Sequence, residues 1–488
     1  MWISYSHYRY WLKRIHHPGI MPCQLSLTQF IEVLAATPVN LSVPMTVNGV
    51  CGITTDTRNL EPGQIFLALR GETFDGHDYA EVAIKKGAIA VITNRDQGRH
   101  LQDIPQLQVD DTLQAYQQLA RWWRDQFDIP VIAVTGSAGK TTTKELIAAV
   151  LSTQGNVLKT QANYNNEIGV PKTLLELDSN HDYAVIEMAM RGSGQIALLT
   201  QIARPTIGVI TNVGTAHIGL LGSEDAIAKA KCELLAQMPD TSLAILNHDN
   251  QRLMDTAATV WQEETLTFGL NGGDVQGTLI DLFRLAVNGM TFPLPLPGEH
   301  NALNYLAALA VAKHLQIDWT PLRRGLSVQM SGGRSQRYEL PNDIVILDET
   351  YNAGFEAMIA ALHLLAQTPG KRHIAILGSM KELGDHSEQL HQQVGQKAQQ
   401  LQLDAVLITL KDREADAITR GLSTLPSKGF AQDDALVQHL TEFVQPGDRL
   451  LFKASRSVGL DRVLHQFREL MSGELSQESP RLSEKLET

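Results

Sequence analysis

The sequence predicts an α/β protein of three domains, with a central parallel-sheet, ATPase-like domain and a C-terminal Rossmann-like α/β domain. Three observations predict it. Short apolar runs alternate with helix-like stretches along most of the chain, the pattern of parallel strands joined by crossover helices. One apolar run, Val131-Ile-Ala-Val134, leads into Thr135-Gly136-Ser137-Ala138-Gly139-Lys140-Thr141-Thr142, a small-residue turn that opens a helix. And 488 residues are too many for one hydrophobic core.

Taken in order, residues 1–21 read as an N-terminal extension that stays disordered. They are aromatic and basic but lack the apolar stretch of a signal peptide. Met21 restarts the chain before Ser26-Leu-Thr-Gln-Phe-Ile-Glu-Val-Leu34, where Ser26 or Thr28 caps a helix with Phe30, Ile31 and Leu34 on one face. The first domain spans 22–128. Strands are expected at 64–69 and 88–92, and helices at 79–86 and 112–127. Pro130 favours an extended residue before it and marks the boundary. The second domain spans 129–330, with strands at 131–134, 183–187, 207–211 and 243–247. The third spans 331–473, with strands at 344–347, 374–377, 405–408 and 450–453. Residues 474–488 form a polar tail expected to fray.

The formal net charge of −12 argues against nucleic acid as a partner, since phosphate neutralisation needs basic stripes. No apolar run is long enough to span a bilayer, so no stable membrane insertion is expected. Cys23, Cys51 and Cys232 are scattered without a C-x-x-C pair, which fits a reduced cytoplasmic compartment.

The chemistry centres on the turn after residue 134. Glycines let backbone N–H groups close around phosphate oxygens, and the following helix N-terminus adds partial positive charge. Lys140 can reach the outer phosphates of ATP, and the Thr141 hydroxyl can sit on Mg2+. The common P-loop has its first glycine where this chain has Val134, so Gly136-x-x-Gly139-Lys140-Thr141 is a shorter variant.

Glu187 ends a strand-like run beside this loop, a natural place for a Mg2+ ligand. His217 closes Thr211-Asn-Val-Gly-Thr-Ala-His217. It could ligate a metal, bond a phosphate or serve only the local structure. Gly298-Glu-His-Asn301 opens an alanine-rich helix, where Asn301 either reads a purine edge or caps the helix. Arg334, after Ser331-Gly-Gly, can close over phosphates from a hinge.

Together these residues make the chain similar to the Mur ligases, ATP-dependent amide-forming enzymes of peptidoglycan precursor synthesis. The family-wide marks are the Thr135–Thr142 loop, Glu187, the run ending at His217, Lys231, Gly298-Glu-His-Asn301 and Gly333-Arg334. Further marks resemble those of the members that add D-alanyl-D-alanine: Asp56-Thr-Arg58, Gly71-Glu-Thr-Phe-Asp-Gly-His-Asp78, Asn163-Tyr-Asn-Asn-Glu-Ile-Gly-Val-Pro171, Tyr351-Asn-Ala353, Met380-x-Glu-Leu-Gly384 and Ser455-Arg456. The resemblance covers almost everything from about residue 26 to about 467.

The resemblance implies a cytoplasmic, monomeric ligase of cell-wall biogenesis, and hence of cell shape and division. It would use ATP and Mg2+ to join D-alanyl-D-alanine to UDP-MurNAc-tripeptide through an acyl phosphate. It implies that Thr57, Arg58, Asn163 and Asn166 contact the UDP-substrate. It puts Thr135, Gly136, Ser137, Ala138, Gly139, Lys140, Thr141 and Thr142 on the ATP phosphates, Asn301 on adenine, Arg334 on a phosphate and Asp348 on the ribose. Thr141, Glu187, His217 and a carbamylated Lys231 would surround the metal, and Lys140, Glu187, His217 and Lys231 would be catalytic. Asn352, Ser455 and Arg456 would meet the dipeptide.

The sequence departs from the family pattern in places. Tyr351-Asn-Ala-Gly354-Phe355 replaces a common Tyr-Asn-Ala-Asn-Pro, and Gly378-Ser379-Met380 replaces Gly-Asp-Met. Cys232 and Ala454 each replace a glycine, and Gln195 a glutamate. The competing readings are another ligase of the superfamily, such as a folylpolyglutamate synthase, and a nucleotide switch that senses ATP without ligation. Asp56-Thr-Arg58 argues against the first. Glu187, His217 and Lys231 argue against the second.

Overall fold

The structure, a computed structural model, describes residues 23–41, 52–71, 73–101, 103–330 and 332–472. The expected extension at 1–21 and the tail at 474–488 lie outside the described residues, as do Cys51 and Ser331.

The first helix, Leu27–Leu34, starts as the sequence predicts. Ser26 accepts from the Gln29 N–H while the Gln29 side chain accepts from the Ser26 N–H, a reciprocal cap. Phe30 and Leu34 then point into the core. Five strands form the first sheet in the order Thr37–Val39, Gln106–Val109, Ala90–Asn94, Ile65–Leu67, Ile53–Thr54. All pairs are parallel except the one that Thr37–Val39 makes at the edge.

The helix Thr112–Arg124 fastens this layer to the next. The buried Arg124 guanidinium donates to the carbonyls of Ala203 and Arg204 at 2.9 and 3.1 Å, and the Trp123 indole donates to Leu177 O at 3.0 Å. One apolar core, including Leu119, Val170, Leu174 and Ile202, crosses the chain boundary near residue 129. That boundary is a change of sheet, with continuous packing across it.

The central sheet has nine strands. Its parallel part runs Val157–Lys159, Tyr183–Glu187, Val131–Thr135, Ile207–Ile210, Leu243–Asn247, Thr265–Gly269, Val275–Asp281. An antiparallel extension, Arg284–Val287 and Met290–Pro293, completes it. Val131–Thr135 is buried along its whole length, which is why it reads as an unbroken apolar run. The carboxyl ends of this strand and its neighbours converge at one edge, where open α/β sheets bind ligands.

The helix Glu299–His314 packs against the helix Lys140–Leu151. Its alanines 302, 307, 308, 310 and 312 are all buried and allow close approach. Gly298 occupies its N-cap, with no side-chain cap, and Asn301 instead donates to Pro297 O at 2.9 Å.

The third sheet is ordered Gln336–Leu340, Ile344–Glu349, Asp448–Lys453, Arg372–Leu377, Ala405–Thr409, Ser427–Phe430. All pairs are parallel except the first. No helix among the described residues is long and apolar enough to cross a membrane.

Candidate active site

The turn after Val131–Thr135 is built by backbone geometry that side chains would block. Gly139 has φ +80° and begins the helix Lys140–Leu151; a Cβ there would stand 2.5 Å from Asn304 Oδ1. At Gly136 a Cβ would strike Thr211 Oγ1. The turn is braced from the neighbouring strand end. Ala138 N–H donates to Asn212 Oδ1 at 2.9 Å, and the Thr211 hydroxyl donates to Ala138 O at 2.6 Å. Ser137 Oγ accepts from Gly214 N–H at 2.9 Å.

Lys140 curls back over this turn and donates to Gly136 O at 2.8 Å. Burial lowers its pKa, Arg334 pushes the same way and Glu187 opposes. Among the described residues no carboxylate forms an ion pair with it, so its ammonium remains available to an anion.

The turn opens into a cleft of about 630 Å³ shared by the central and third domains. Ser137, Ala138, Gly139, Lys140, Thr141 and Thr142 line it from below, together with Asn163, Glu187, His217 and Asn301. Arg334, Asn352, Ser455 and Arg456 line it from the third domain. The sequence therefore brings most of its expected site residues to one cavity, although they are spread over some 300 residues of chain.

Glu187 is 2% exposed. Its Oε1 accepts from Asn165 Nδ2 at 2.8 Å, whereas Oε2 is buried without a hydrogen-bond partner. Such an oxygen is costly unless something positive meets it. His217 adopts φ +68°, and its Nδ1–H donates to Glu382 of the third domain. Burial and the Lys140 charge lower the imidazole pKa, against the pull of Glu382. Lys231 is 1% exposed on the helix Glu224–Gln237. Burial first, then the neighbouring Lys140, lower its pKa well below the ordinary lysine value. Among the described residues no three His, Cys, Asp or Glu side chains gather as a metal cluster.

Other expected residues stand elsewhere. Thr135 is fully buried under the turn, its hydroxyl donating to Met188 O at 2.9 Å. Asp348 is 5% exposed, outside the cleft lining, and accepts from Thr350 N–H and Oγ1 at 3.0 and 2.7 Å. Asn166 Oδ1 accepts from the N–H groups of Ile168 and Gly169, stabilising the start of a helix. Thr57 and Arg58 sit on the first domain outside this cleft, with Arg58 bonded through two nitrogens to Asp56.

Several further residues shape the cleft; Asn165, Tyr351 and Glu382 lie within runs quoted above, with no individual role assigned from sequence. Asn165 orients Glu187. Glu356 Oε1 accepts from Thr215 N–H at 2.6 Å, and Glu382 also accepts from Arg191 at 2.7 Å. Lys453, 3% exposed, donates to Asn352 O at 3.0 Å. Tyr351 carries the Arg334 guanidinium 3.8 Å above its ring, with Arg456 at 5.6 Å.

Comparison with known proteins agrees with this geometry. Residues 50–124 match the Mur ligase family catalytic domain, 134–312 the Mur ligase middle domain, and 333–456 the Mur ligase glutamate ligase domain. A UDP-N-acetylmuramoyl-tripeptide–D-alanyl-D-alanine ligase of Synechocystis sp. is 57% identical over 437 residues, which are 90% of this chain and 95% of that protein. A crystal structure of MurF from Acinetobacter baumannii superposes with TM-score 0.84 at 32% identity, covering 92% of this chain and all of that one. MurF ligase from Thermotoga maritima, crystallised with ADP, gives TM-score 0.77 at 30% identity, covering 86% and 98% of the two chains. With three family domains matched in order, and the glycine-rich turn, Glu187 and His217 assembled on one cleft, this chain belongs to the Mur ligase family.

Proposed function

We propose that this chain is the ATP-dependent ligase that joins D-alanyl-D-alanine to UDP-MurNAc-tripeptide, in cytoplasmic peptidoglycan precursor synthesis. The observation that carries the reading is the unpartnered Glu187 Oε2, buried on the same cleft as Lys140, His217 and the helix N-terminus at Lys140. That arrangement presents one site for a cation beside one site for a polyphosphate.

The tripeptide's terminal carboxylate attacks the γ-phosphorus of ATP. The bond to the bridging oxygen breaks, ADP leaves and an acyl phosphate forms. The dipeptide amine then attacks the acyl carbon. Phosphate departs and the new amide nitrogen loses its proton. No side chain becomes covalently linked, so the protein contributes positioning and charge neutralisation.

The donor set fits Mg2+. Glu187, the Thr141 hydroxyl and His217 would hold it, with phosphate oxygens and water completing the shell. When bound, Mg2+ neutralises phosphate charge and fixes the γ-phosphate for attack. Lys231 would add a ligand as a carbamate. Its depressed pKa supports this, because the neutral amine is the form that adds to carbon dioxide, forming an N–C bond and releasing a proton.

Lys140 and the N–H groups of residues 136–142 would hold the ATP phosphates, Asn301 the adenine, and Arg334 a phosphate from above. Asp348, already bonded to Thr350, would reach a ribose only through that segment. Thr57, Arg58 and Asn163 would hold the UDP-substrate, with Asn166 shaping the turn beneath it. Asn352, Ser455 and Arg456 would meet the dipeptide. The domains 22–128, 129–330 and 331–473 then carry UDP-sugar, ATP and dipeptide in turn.

The test is a product assay with UDP-MurNAc-tripeptides ending in diaminopimelate or lysine, against a panel of amino acids and dipeptides. The expected result is pentapeptide, ADP and phosphate in equal amounts, with D-alanyl-D-alanine the preferred acceptor. ADP release that ignores the acceptor would point to a nucleotide switch and overturn the reading.

A further inference from the structure

The third domain meets the strand-end loop 212–219 through a small seam. Glu382 makes three of its contacts. One carboxylate oxygen accepts from His217 Nδ1, the other from Arg191 Nη2, and its backbone carbonyl from Gly219 N–H at 3.0 Å. The backbones touch directly: a Cβ on Gly219 would lie 2.3 Å from Gly384 N. Both residues of the central pair are strained. His217 has φ +68° and Glu382 +63°, a region that is unfavourable for a residue with a side chain and persists where surroundings impose it.

The loop bearing Glu382 is itself held rigidly. Met380 N–H donates to Nε2 of the fully buried His391 at 2.8 Å, and His391 Nδ1–H donates to Ser387 O at 2.7 Å. Lys381 N–H donates to Ser455 Oγ at 3.1 Å. These bonds hold the backbone from which the Glu382 side chain projects toward His217.

An ionised carboxylate only accepts, so the His217 proton sits on Nδ1 and the Nε2 lone pair is left open. An imidazole that binds a cation through one nitrogen is generally oriented by an acceptor on the other. Here the acceptor arrives from a different domain.

We propose that Glu382 is a positioning residue: it fixes His217 as the Nδ1–H tautomer and presents Nε2 to the metal, so that docking of the third domain completes the metal site. This rests on the reading of His217 as a metal-side residue given above. It makes the seam more than a structural ion pair, since metal affinity and domain docking then rise together by linkage.

The test uses the full chain with 15N-labelled histidine. His217 is assigned by its loss in His217→Gln, and its tautomer is read from ring 15N shifts. Mn2+ affinity is measured in parallel by electron paramagnetic resonance. The expected wild-type form is Nδ1–H. Glu382→Ala should move His217 toward Nε2–H, weaken Mn2+ binding about 10–100-fold and lower kcat more than it raises the KM for ATP. Glu382→Gln, whose amide oxygen can still accept, should keep part of the Nδ1–H signal and part of the affinity. Arg191→Ala breaks the ion pair at the same seam and should leave the tautomer unchanged.

An unchanged tautomer and Mn2+ affinity in Glu382→Ala, or a matching shift in Arg191→Ala, would overturn the proposal. Pentapeptide synthesis by the wild-type chain is assayed separately. Its absence would sink the ligase reading, whereas normal synthesis with a silent Glu382→Ala would sink this inference alone.

Discussion

Replacing Glu187 by glutamine separates charge from shape at the centre of the cleft. The amide oxygen can keep the 2.8 Å bond from Asn165, so the strand end and its neighbour need not move. The amide nitrogen then stands where Oε2 was, and offers N–H donors to a position that would hold a cation. Without nucleotide the variant should be as stable as the wild type or slightly more so, because an unpartnered buried carboxylate oxygen has been removed. With Mg-ATP the two should diverge. At a ligand concentration of about 100 Kd, binding stabilises the wild type by ~2.7 kcal/mol; a hundredfold weaker variant at the same concentration gains only ~0.4 kcal/mol. A comparable loss at the transition state is ~2.7 kcal/mol, or a hundredfold in kcat/KM. Thermal or urea denaturation with and without Mg-ATP, alongside a phosphate-release assay, reads both quantities. Equal ligand-induced stabilisation and equal turnover in Glu187→Gln would refute the argument, whatever the variant's intrinsic stability.

Lys140→Ala should leave the fold intact, since the turn is braced by Asn212 and Thr211, yet lower kcat about 10²–10³-fold; near-normal turnover at saturating ATP would dismiss its phosphate role. Lys231→Ala should be nearly inactive and partly restored by acetate, which can place an oxygen in the vacated space, but not by bicarbonate. Wild-type kinetics in that variant would leave only Glu187, His217 and the phosphate turn to organise the metal. Gly139→Ala forces a side chain into φ +80° and against Asn304, so it should cost at least about 1–2 kcal/mol by denaturation and weaken ATP binding; a silent variant would show that the turn relaxes freely.

The fold was legible where burial wrote itself into local sequence. Central strands such as Tyr183–Glu187 and Leu243–Asn247 are buried on both faces and read as apolar runs, so their ends fall where expected. Edge strands did not announce themselves. Val157–Lys159 is short and half-buried, and Ser427–Phe430 is mostly exposed. The hairpin Arg284–Val287 to Met290–Pro293 does carry a local sequence signal. Asn288 and Gly289 join the strands with φ of +49° and +74°, the two-residue turn that an Asn-Gly pair favours.

The site divides the same way. The phosphate turn is contiguous and could be recognised from composition and spacing. Glu356 and Glu382 act on loops 141 and 165 residues distant; Glu356 resembles any solvated carboxylate in sequence, and the run Met380–Gly384 that contains Glu382 does not say which group its carboxylate meets. Asn165 lies inside the quoted run from Asn163, but three asparagines within four residues do not say which amide meets Glu187.

The departures from the family pattern show how far local geometry can absorb changed chemistry. Phe355 replaces a common proline at the start of the helix Phe355–Gln367, yet Gly354 takes the N-cap in an extended conformation and the helix starts there. Ser379 replaces an aspartate, and its hydroxyl donates to Asp412 at 2.6 Å, which also pairs with Lys381 at 2.8 Å. A carboxylate therefore still stands beside this position, supplied by the next loop and paired with Lys381. Ala454 leaves Gly378 no room for a side chain, since a Cβ there would lie 2.8 Å from the alanine methyl. Gln195 accepts from the N–H groups of Arg191 and Gly192 and shapes the turn that carries Arg191. Cys232 is next to Lys231, and burial raises its thiol to about 12, so it stays protonated and does not compete as an anionic ligand. None of these changes touches the glycine-rich turn, Glu187 or His217, which line the cleft. The chemistry common to the family should therefore survive in this chain, and any divergence should appear in acceptor choice, where Ser379, Lys381 and Gly354 stand.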